Sequence, residues 1–372
     1  MTFLEESEAL HARVRALVSR RDPLPDAEFE ALALELARFQ ARHSRGFARL
    51  VERRGGRLSR LDEIPAVPSD AFRATRVALH EPALDVARFH TSGTTGSERG
   101  EHALRTTKTY ETLAIELGRR ALVPGERALT VAALAPLLDE PPSSSLGFMM
   151  ALFMRAFDGR AFGDATPFSA RAPERWLLSA DGVDMTALQH AIEVAARRGE
   201  RLLLLATSFA LVALLDALAG SRLPLPEGSV VMQTGGYKGR TREVPAEELR
   251  QSLARCFELP EAHFVSEYGM TELSSQLYEG TLPGAALRGA RGRYIEPPWL
   301  RVTPVDAVTL EPVPGGERGL ARFVDLANVD SAVAVVTRDL VRRSDDGIEL
   351  LGRAPGAPPR GCSLAVEALL AG

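Results

Sequence analysis

Between residues 109 and 268, apolar runs of strand length alternate with stretches of helical spacing. That alternation restricts the fold more than any other feature of the 372-residue chain. Residues 109–122 read as a helix and 128–133 as a buried strand. Then come a helix at 184–198, a strand at 201–206, a helix to Ala219, a strand at 230–233, a helix at 245–257 and a strand from His263 to Tyr268. The strand segments are apolar throughout rather than every second residue, as expected where both faces are covered. The fold class that follows is α/β, a mostly parallel sheet with helices on both sides. Ligands of such sheets bind beyond the carboxyl ends of the strands.

The flanks read differently. Residues 26–54 place Phe29, Leu32, Leu36, Phe39, Phe47 and Leu50 at helical spacing behind a capping Asp26, with Gly55 and Gly56 as the stop. A connector with Pro65 and Pro68 follows. Beyond Pro297, short β-rich runs at 299–303, 320–325, 332–337 and 348–351 are bounded by turns at 314–316 and 345–347. The expected organisation is a helical region over 1–80, an α/β nucleotide-binding core over 81–296 and a β-rich subdomain with a C-terminal tail over 297–372.

A net charge of −4 excludes a strong global field for nucleic acid, so any polyanion must be held locally. Cys256 and Cys362 show no zinc-site spacing and no disulfide framework. With no signal peptide and no apolar run of bilayer length, a cytoplasmic location without a membrane span is expected.

Three segments carry chemistry. At 89–96, Phe-His-Thr-Ser-Gly-Thr-Thr-Gly sets the hydroxyls of Thr91, Ser92, Thr94 and Thr95 beside Gly93 and Gly96, which lets backbone and hydroxyl donors approach a phosphate chain. No lysine follows as a Walker loop requires. Alone, the segment also reads as a surface turn. At 231–238 an apolar strand runs into Gly235, Gly236, Tyr237 and Lys238, either a platform for a flat ligand or a plain strand-end turn. At 264–272 a strand ends in Tyr268, Gly269, Met270, Thr271 and Glu272, placing a carboxylate and a hydroxyl where a magnesium nucleotide is commonly held.

In this order and spacing the segments resemble the adenylate-forming superfamily, enzymes that activate a carboxylic acid with ATP. The run at 315–319 is similar to that superfamily's Gly-Glu-x-Gly turn, Thr337-Arg338-Asp339 to its ribose-binding motif, and Gly352-Arg353 to the pair that follows it. The Pro-Ser-Ser-Ser-Leu-Gly-Phe-Met run at 142–149 and the ending around Cys362 look like the acyl-protein synthetase (LuxE-like) family. The resemblance implies the large N-terminal domain of an adenylate-forming enzyme, with mixed α/β sheets and a β-rich C-terminal subdomain. As a departure from the superfamily's pattern, the usual small C-terminal domain, which bears a helper lysine, is expected to be lacking.

Cofactors implied are ATP and Mg²⁺. Ser92, Thr94 and Thr95, with Thr91, Gly93 and Gly96, would hold the β- and γ-phosphates. Gly235, Gly236, Tyr237, Tyr268 and Gly269 would flank adenine, with Asp339 on the ribose and Arg353 beside it. Thr271 would meet the α-phosphate, Glu272 would order Mg²⁺, and Cys362 would accept the acyl group. Arg338 stands where that family has glycine. Lys108 and Lys238 are the only lysines among 45 basic residues, and both, with several arginines, are candidates for the missing positive charge. His90 reads equally as a contact to the substrate carboxylate or as structural, and Phe148, Met149, Met150, Phe153 and Met154 as acyl tunnel or core. The implied partners are a carboxylic, by resemblance fatty, acid and an acyl-CoA-reductase-like or carrier protein. Two alternatives stand beside this reading: a ligase that passes the acid to coenzyme A, a carrier or an amine without self-acylation, and a non-catalytic adenylate-binding scaffold.

Overall fold

The computed structural model describes residues 1–20, 22–91, 99–125, 128–163, 167–235, 244–355, 366 and 369. Three helices open the chain, α1 (Phe3–Ala16), α2 (Asp26–His43) and α3 (Arg45–Arg53). A capping box of Thr2 and Glu5 starts α1. The start of α2 differs from the expectation. Asp26 is its first helical residue, and Pro25 occupies the cap without a side-chain bond, so Asp26 acts on the helix dipole instead. At Ser44 the backbone becomes extended, and its Oγ accepts from the Phe47 N–H at 3.2 Å to begin α3.

The chain continues through β1 (Val67–Pro68), α4 (Ala71–Ala74) and an antiparallel hairpin of β2 (Ala87–His90) and β3 (Glu101–Leu104). The alternating region then forms α5 (Lys108–Leu122), β4 (Leu129–Pro136), α6 (Ser145–Phe153), β5 (Trp176–Ser179), β6 (Gly182–Val183), α7 (Met185–Arg197), β7 (Arg201–Thr207), α8 (Ser208–Leu218), β8 (Val230–Thr234), α9 (Ala246–Phe257) and β9 (Phe264–Tyr268). Strands β5, β4, β7, β8 and β9 lie side by side and parallel. Their uniform hydrophobicity has the expected cause. Leu129, Val131, Leu203, Leu205, Val230, Met232 and Val265 pack into one core with the N-terminal helices, α5 and α6. The intervening Ala132, Leu134, Leu202, Leu204, Val231 and Phe264 pack into a second core with α7, α8 and α9. The apolar stretch 202–218 is β7 followed by α8, and among the described residues no helix is long and apolar enough to cross a membrane.

After β9 the sheet turns antiparallel through β10 (Leu277–Glu279), β11 (Tyr294–Ile295), β12 (Leu300–Val305), β13 (Arg318–Asp325), β14 (Ala334–Ser344) and β15 (Gly347–Arg353). Among the described residues, thirteen strands join in one sheet of order β12-β13-β14-β15-β11-β10-β9-β8-β7-β4-β5-β6, with β1 parallel to β14. The run read at 332–337 is the start of a longer strand, because β14 continues to Ser344 as the centre of the antiparallel half. Met149, Met150, Phe153 and Met154 are core: each is at most 2% exposed, and the Phe153 ring lies 2.5 Å from where a Cβ on Gly118 would fall.

Past β10 the chain doubles back so tightly that a Cβ on Gly280 would lie 2.2 Å from the Gly289 nitrogen. That backbone has no room to shift, and Gly280→Ala is expected to cost about 3 kcal/mol of stability by urea unfolding.

Candidate functional site

The carboxyl ends of β8 and β9, the end of β2 and the middle of β14 converge on one region. Tyr268 closes β9 with its ring stacked on Phe323, centroids 5.6 Å apart at 13°. Its hydroxyl donates to Asp339 Oδ2 at 2.7 Å. Asp339 sits where the pairing of β14 with β15 shifts register, between Asp339↔Arg353 and Val341↔Leu350. That irregularity re-aims the carboxylate, and the Asp339 N–H donates to Thr337 Oγ1 at 3.0 Å. Arg353 Nε stands 3.9 Å from Asp339 Oδ1 with its side chain 67% exposed.

One turn later, Thr271 Oγ1 lies 3.4 Å from the His90 carbonyl and 3.5 Å from Ser145 Oγ. His90 is itself fixed by its N–H, which donates to the Ser143 carbonyl at 2.8 Å. Thr91 pairs with Gly100 across the hairpin: its N–H donates to the Gly100 carbonyl at 2.8 Å, and its Oγ1 accepts from the Gly100 N–H at 2.9 Å. Thr91 and Gly100 are thereby locked together, next to the His90 carbonyl that meets Thr271.

Glu272 is 8% exposed. Burial pushes its carboxyl up to about 7; the Arg353 charge opposes the rise, while Asp70 and Asp339 add to it. A carboxyl whose ionised form is disfavoured by burial and by neighbouring carboxylates suits a place that a cation fills, since a cation restores that form. Among the described residues no three His, Cys, Asp or Glu side chains gather to hold a metal. A single carboxylate still fits Mg²⁺, whose remaining positions phosphate oxygens and water complete.

The sequence-derived residues divide in three. Structure brings together His90, Thr91, Tyr268, Thr271, Glu272, Asp339 and Arg353. Gly235 follows β8 at φ +69°, its carbonyl accepting from Ser208 Oγ at 2.6 Å, while Gly269 lies so close to Glu267 that a Cβ would stand 2.6 Å from Oε1. Ser92, Gly93, Thr94, Thr95, Gly96, Gly236, Tyr237, Lys238 and Cys362 lie outside the described residues. Lys108 is exposed at the start of α5, and Cys256 is buried in the second core, its thiol pushed up by burial.

Sequence reading missed the groups that hold this region. Asp325 is fully buried, and Oδ1 accepts from Ser275 Oγ at 2.6 Å and from the Ala327 N–H at 2.9 Å, while Oδ2 accepts from the Ser274 N–H at 3.0 Å. Asn328 Nδ2 donates to the carbonyls of Glu272 and Ala332, both at 2.9 Å. Glu267, paired with Thr234 across β8 and β9, is a buried carboxyl pushed up to about 7 by desolvation. Only the polar character of 325–331 inside an apolar run signalled this network.

Comparison with solved structures decides the fold. Over 90% of this chain and 77% of the other, it superposes on an open conformation of 2-hydroxyisobutyryl-CoA ligase in complex with 2-HIB-AMP and CoA, with a TM-score of 0.59 at 12% identity. The fold is that of an adenylate-forming enzyme. The same ligase in its thioesterification state matches this adenylate-forming fold with a TM-score of 0.59 at 14% identity, over 90% of this chain and 70% of the other. In sequence, the chain is similar to the long-chain-fatty-acid–luciferin-component ligase of Vibrio harveyi, 24% identical over 146 residues. That stretch is 37% of this chain and 36% of the relative. No family model matches.

Proposed function

We propose that the chain activates a carboxylic acid with ATP, releasing pyrophosphate, and transfers the acyl group from acyl-AMP to Cys362 and then to a partner protein. The observation that carries the first half is the Tyr268–Asp339 pair standing beside Thr271 and Glu272, with Thr271 against the base of the Gly/Ser/Thr segment. This is the strand-end position where an α/β sheet holds its ligand.

A carboxylate is a poor electrophile because it has no good leaving group. On this reading one of its oxygens attacks the α-phosphorus of ATP, the bond from that phosphorus to pyrophosphate breaks, and a mixed anhydride remains. The chain's work is positioning and charge stabilisation. Segment 92–96 with Thr91 holds the β- and γ-phosphates, Thr271 meets the α-phosphate, and Asp339 takes ribose hydroxyls while Tyr268 orients it. Gly235, Gly236, Tyr237 and Gly269 wall the adenine, Arg353 balances the charge of Asp339, His90 meets the substrate carboxylate, and Lys238 supplies a positive charge for the adenylation step. Mg²⁺, held through Glu272, would neutralise charge on the phosphates. In the second half the Cys362 thiolate attacks the acyl carbonyl and AMP departs with its electron pair. Similarity to a ligase named for long-chain fatty acids supports a fatty acid as substrate.

A second reading, transfer to coenzyme A without self-acylation, is favoured by the likeness to a CoA ligase. Intact-mass measurement after incubation with ATP, Mg²⁺ and a panel of acids separates the two. The proposal expects a hydroxylamine-labile acyl adduct that Cys362→Ser lacks. Acid-dependent pyrophosphate exchange with no adduct on the wild-type chain would favour the second reading.

A further inference from the structure

His102, on β3, is 1% exposed. Its Nδ1 lies 2.8 Å from the Thr271 carbonyl and its Nε2 2.9 Å from Ser331 Oγ, with the Phe72 ring packed edge-on at 5.4 Å. A carbonyl only accepts, so the hydrogen is on Nδ1, and Nε2 accepts from the Ser331 hydroxyl. Burial pushes the imidazolium down to about 4, with His80 adding to the effect and the Thr271 carbonyl opposing it. The ring therefore stays neutral under ordinary conditions.

Two successive carbonyls, Thr271 and Glu272, are thus gripped by side chains from distant parts of the chain, His102 on β3 and Asn328 on the turn after β13. His102 pairs opposite Phe89 across the hairpin, and two residues before it Gly100 closes the lock with Thr91. A single side chain therefore ties the hairpin, two residues from its Thr91–Gly100 lock, to the Thr271-Glu272 turn.

We propose that His102 is a positioning residue, holding the Thr271-Glu272 peptide in register with the Thr91–Gly100 lock of the hairpin through its Nδ1–H. It touches no reacting atom; it acts through Thr271. The assignment rests on the adenylation reading above, and the experiment keeps the two apart.

The measurement is acid-dependent ATP–pyrophosphate exchange by the full chain. If the wild-type chain shows no exchange with any acid, the adenylation reading fails and His102 loses the reaction it is said to serve. Given wild-type exchange, two near-isosteric variants divide the ring's bonds: in His102→Asn the amide nitrogen falls near Nδ1, and in His102→Gln near Nε2. Loss of a group that orients a functional residue commonly costs about 10- to 100-fold. His102→Asn is expected to retain kcat within about threefold, and His102→Gln to lose about 10- to 100-fold in kcat with KM for ATP changed less than about threefold. Melting temperatures accompany both, and if either fails to fold, His102→Ser with added imidazole replaces it, with imidazole expected to restore kcat. Equal activity of the Asn and Gln variants, a Gln variant more active than Asn, a loss confined to KM, or no restoration by imidazole would each overturn the assignment.

Discussion

Glu272→Ala is expected to lower acid-dependent pyrophosphate exchange by about 10³-fold, the scale of a missing charge-stabilising group in a water-poor site. The fold is expected to survive intact. Among the described residues no other side chain donates a hydrogen bond to the Glu272 carboxyl that the variant would orphan, and its carbonyl, which Asn328 holds, is unchanged. The pH dependence has a definite sign. The folded carboxyl is raised from 4.5 to about 7, so its contribution to stability is fully present below about 4.5 and is lost as pH rises through 7. The alanine variant has no such group, so its stability relative to the wild-type chain is expected to improve between pH 5 and 8. Thermal unfolding across that range measures it, alongside exchange. Full exchange activity in Glu272→Ala would remove this carboxyl from the mechanism.

Asp325→Ala is expected to produce the largest loss of stability of any single polar substitution near the site, about 3 kcal/mol by urea unfolding. The variant leaves the Ser275 hydroxyl and the Ala327 N–H without their acceptor in a fully buried place, while the Ser274 N–H retains Asn328 Oδ1 at 3.0 Å. Because Asn328 also holds the Glu272 carbonyl, the damage extends to function, and exchange activity is expected to fall along with stability. Asp325→Asn keeps one carbonyl oxygen for Ser275 and Ala327 and is expected to lose less than half as much. Wild-type stability in Asp325→Ala would show that the 270–276 turn is held by its apolar neighbours alone.

The parallel half of the fold was legible because its chemistry is local. A strand covered on both faces must be apolar at every position, and β4, β7 and β8 announce themselves for that reason. Other elements left no such mark. The first helix, α1, turns Ser7 and His11 inward with Leu10 and Val14, so polar residues interrupt its apolar stripe. They are buried because Asp330, more than three hundred residues away, receives both, and Arg105 as well. The helix α6 is announced by Ser144, whose Oγ accepts from the Gly147 N–H at 3.1 Å, yet the serine run reads just as well as a turn.

The site divides along the same line. Tyr268, Thr271 and Glu272 were readable as a strand end that carries a hydroxyl and a carboxylate, whereas Asp339 drew notice only through its family likeness, in the middle of a strand. The holding roles of Asp325, Asn328 and Ser331 left no mark because the partners that tie them to this region, Ser275, Glu272 and His102, lie 50, 56 and 229 positions away and obey no periodicity. Such contacts are set by tertiary structure, and only coordinates reveal them.

The joining of a carboxylic acid to AMP in this strand-end site is the chemistry on which every role proposed for these residues depends. ATP–pyrophosphate exchange on the wild-type chain, with Mg²⁺ and a mixed library of fatty, aryl and amino acids, addresses that directly. Exchange that requires an acid, and is strongest with one class of the library, is the predicted result. A folded chain that binds ATP yet exchanges no label with any acid would contradict it.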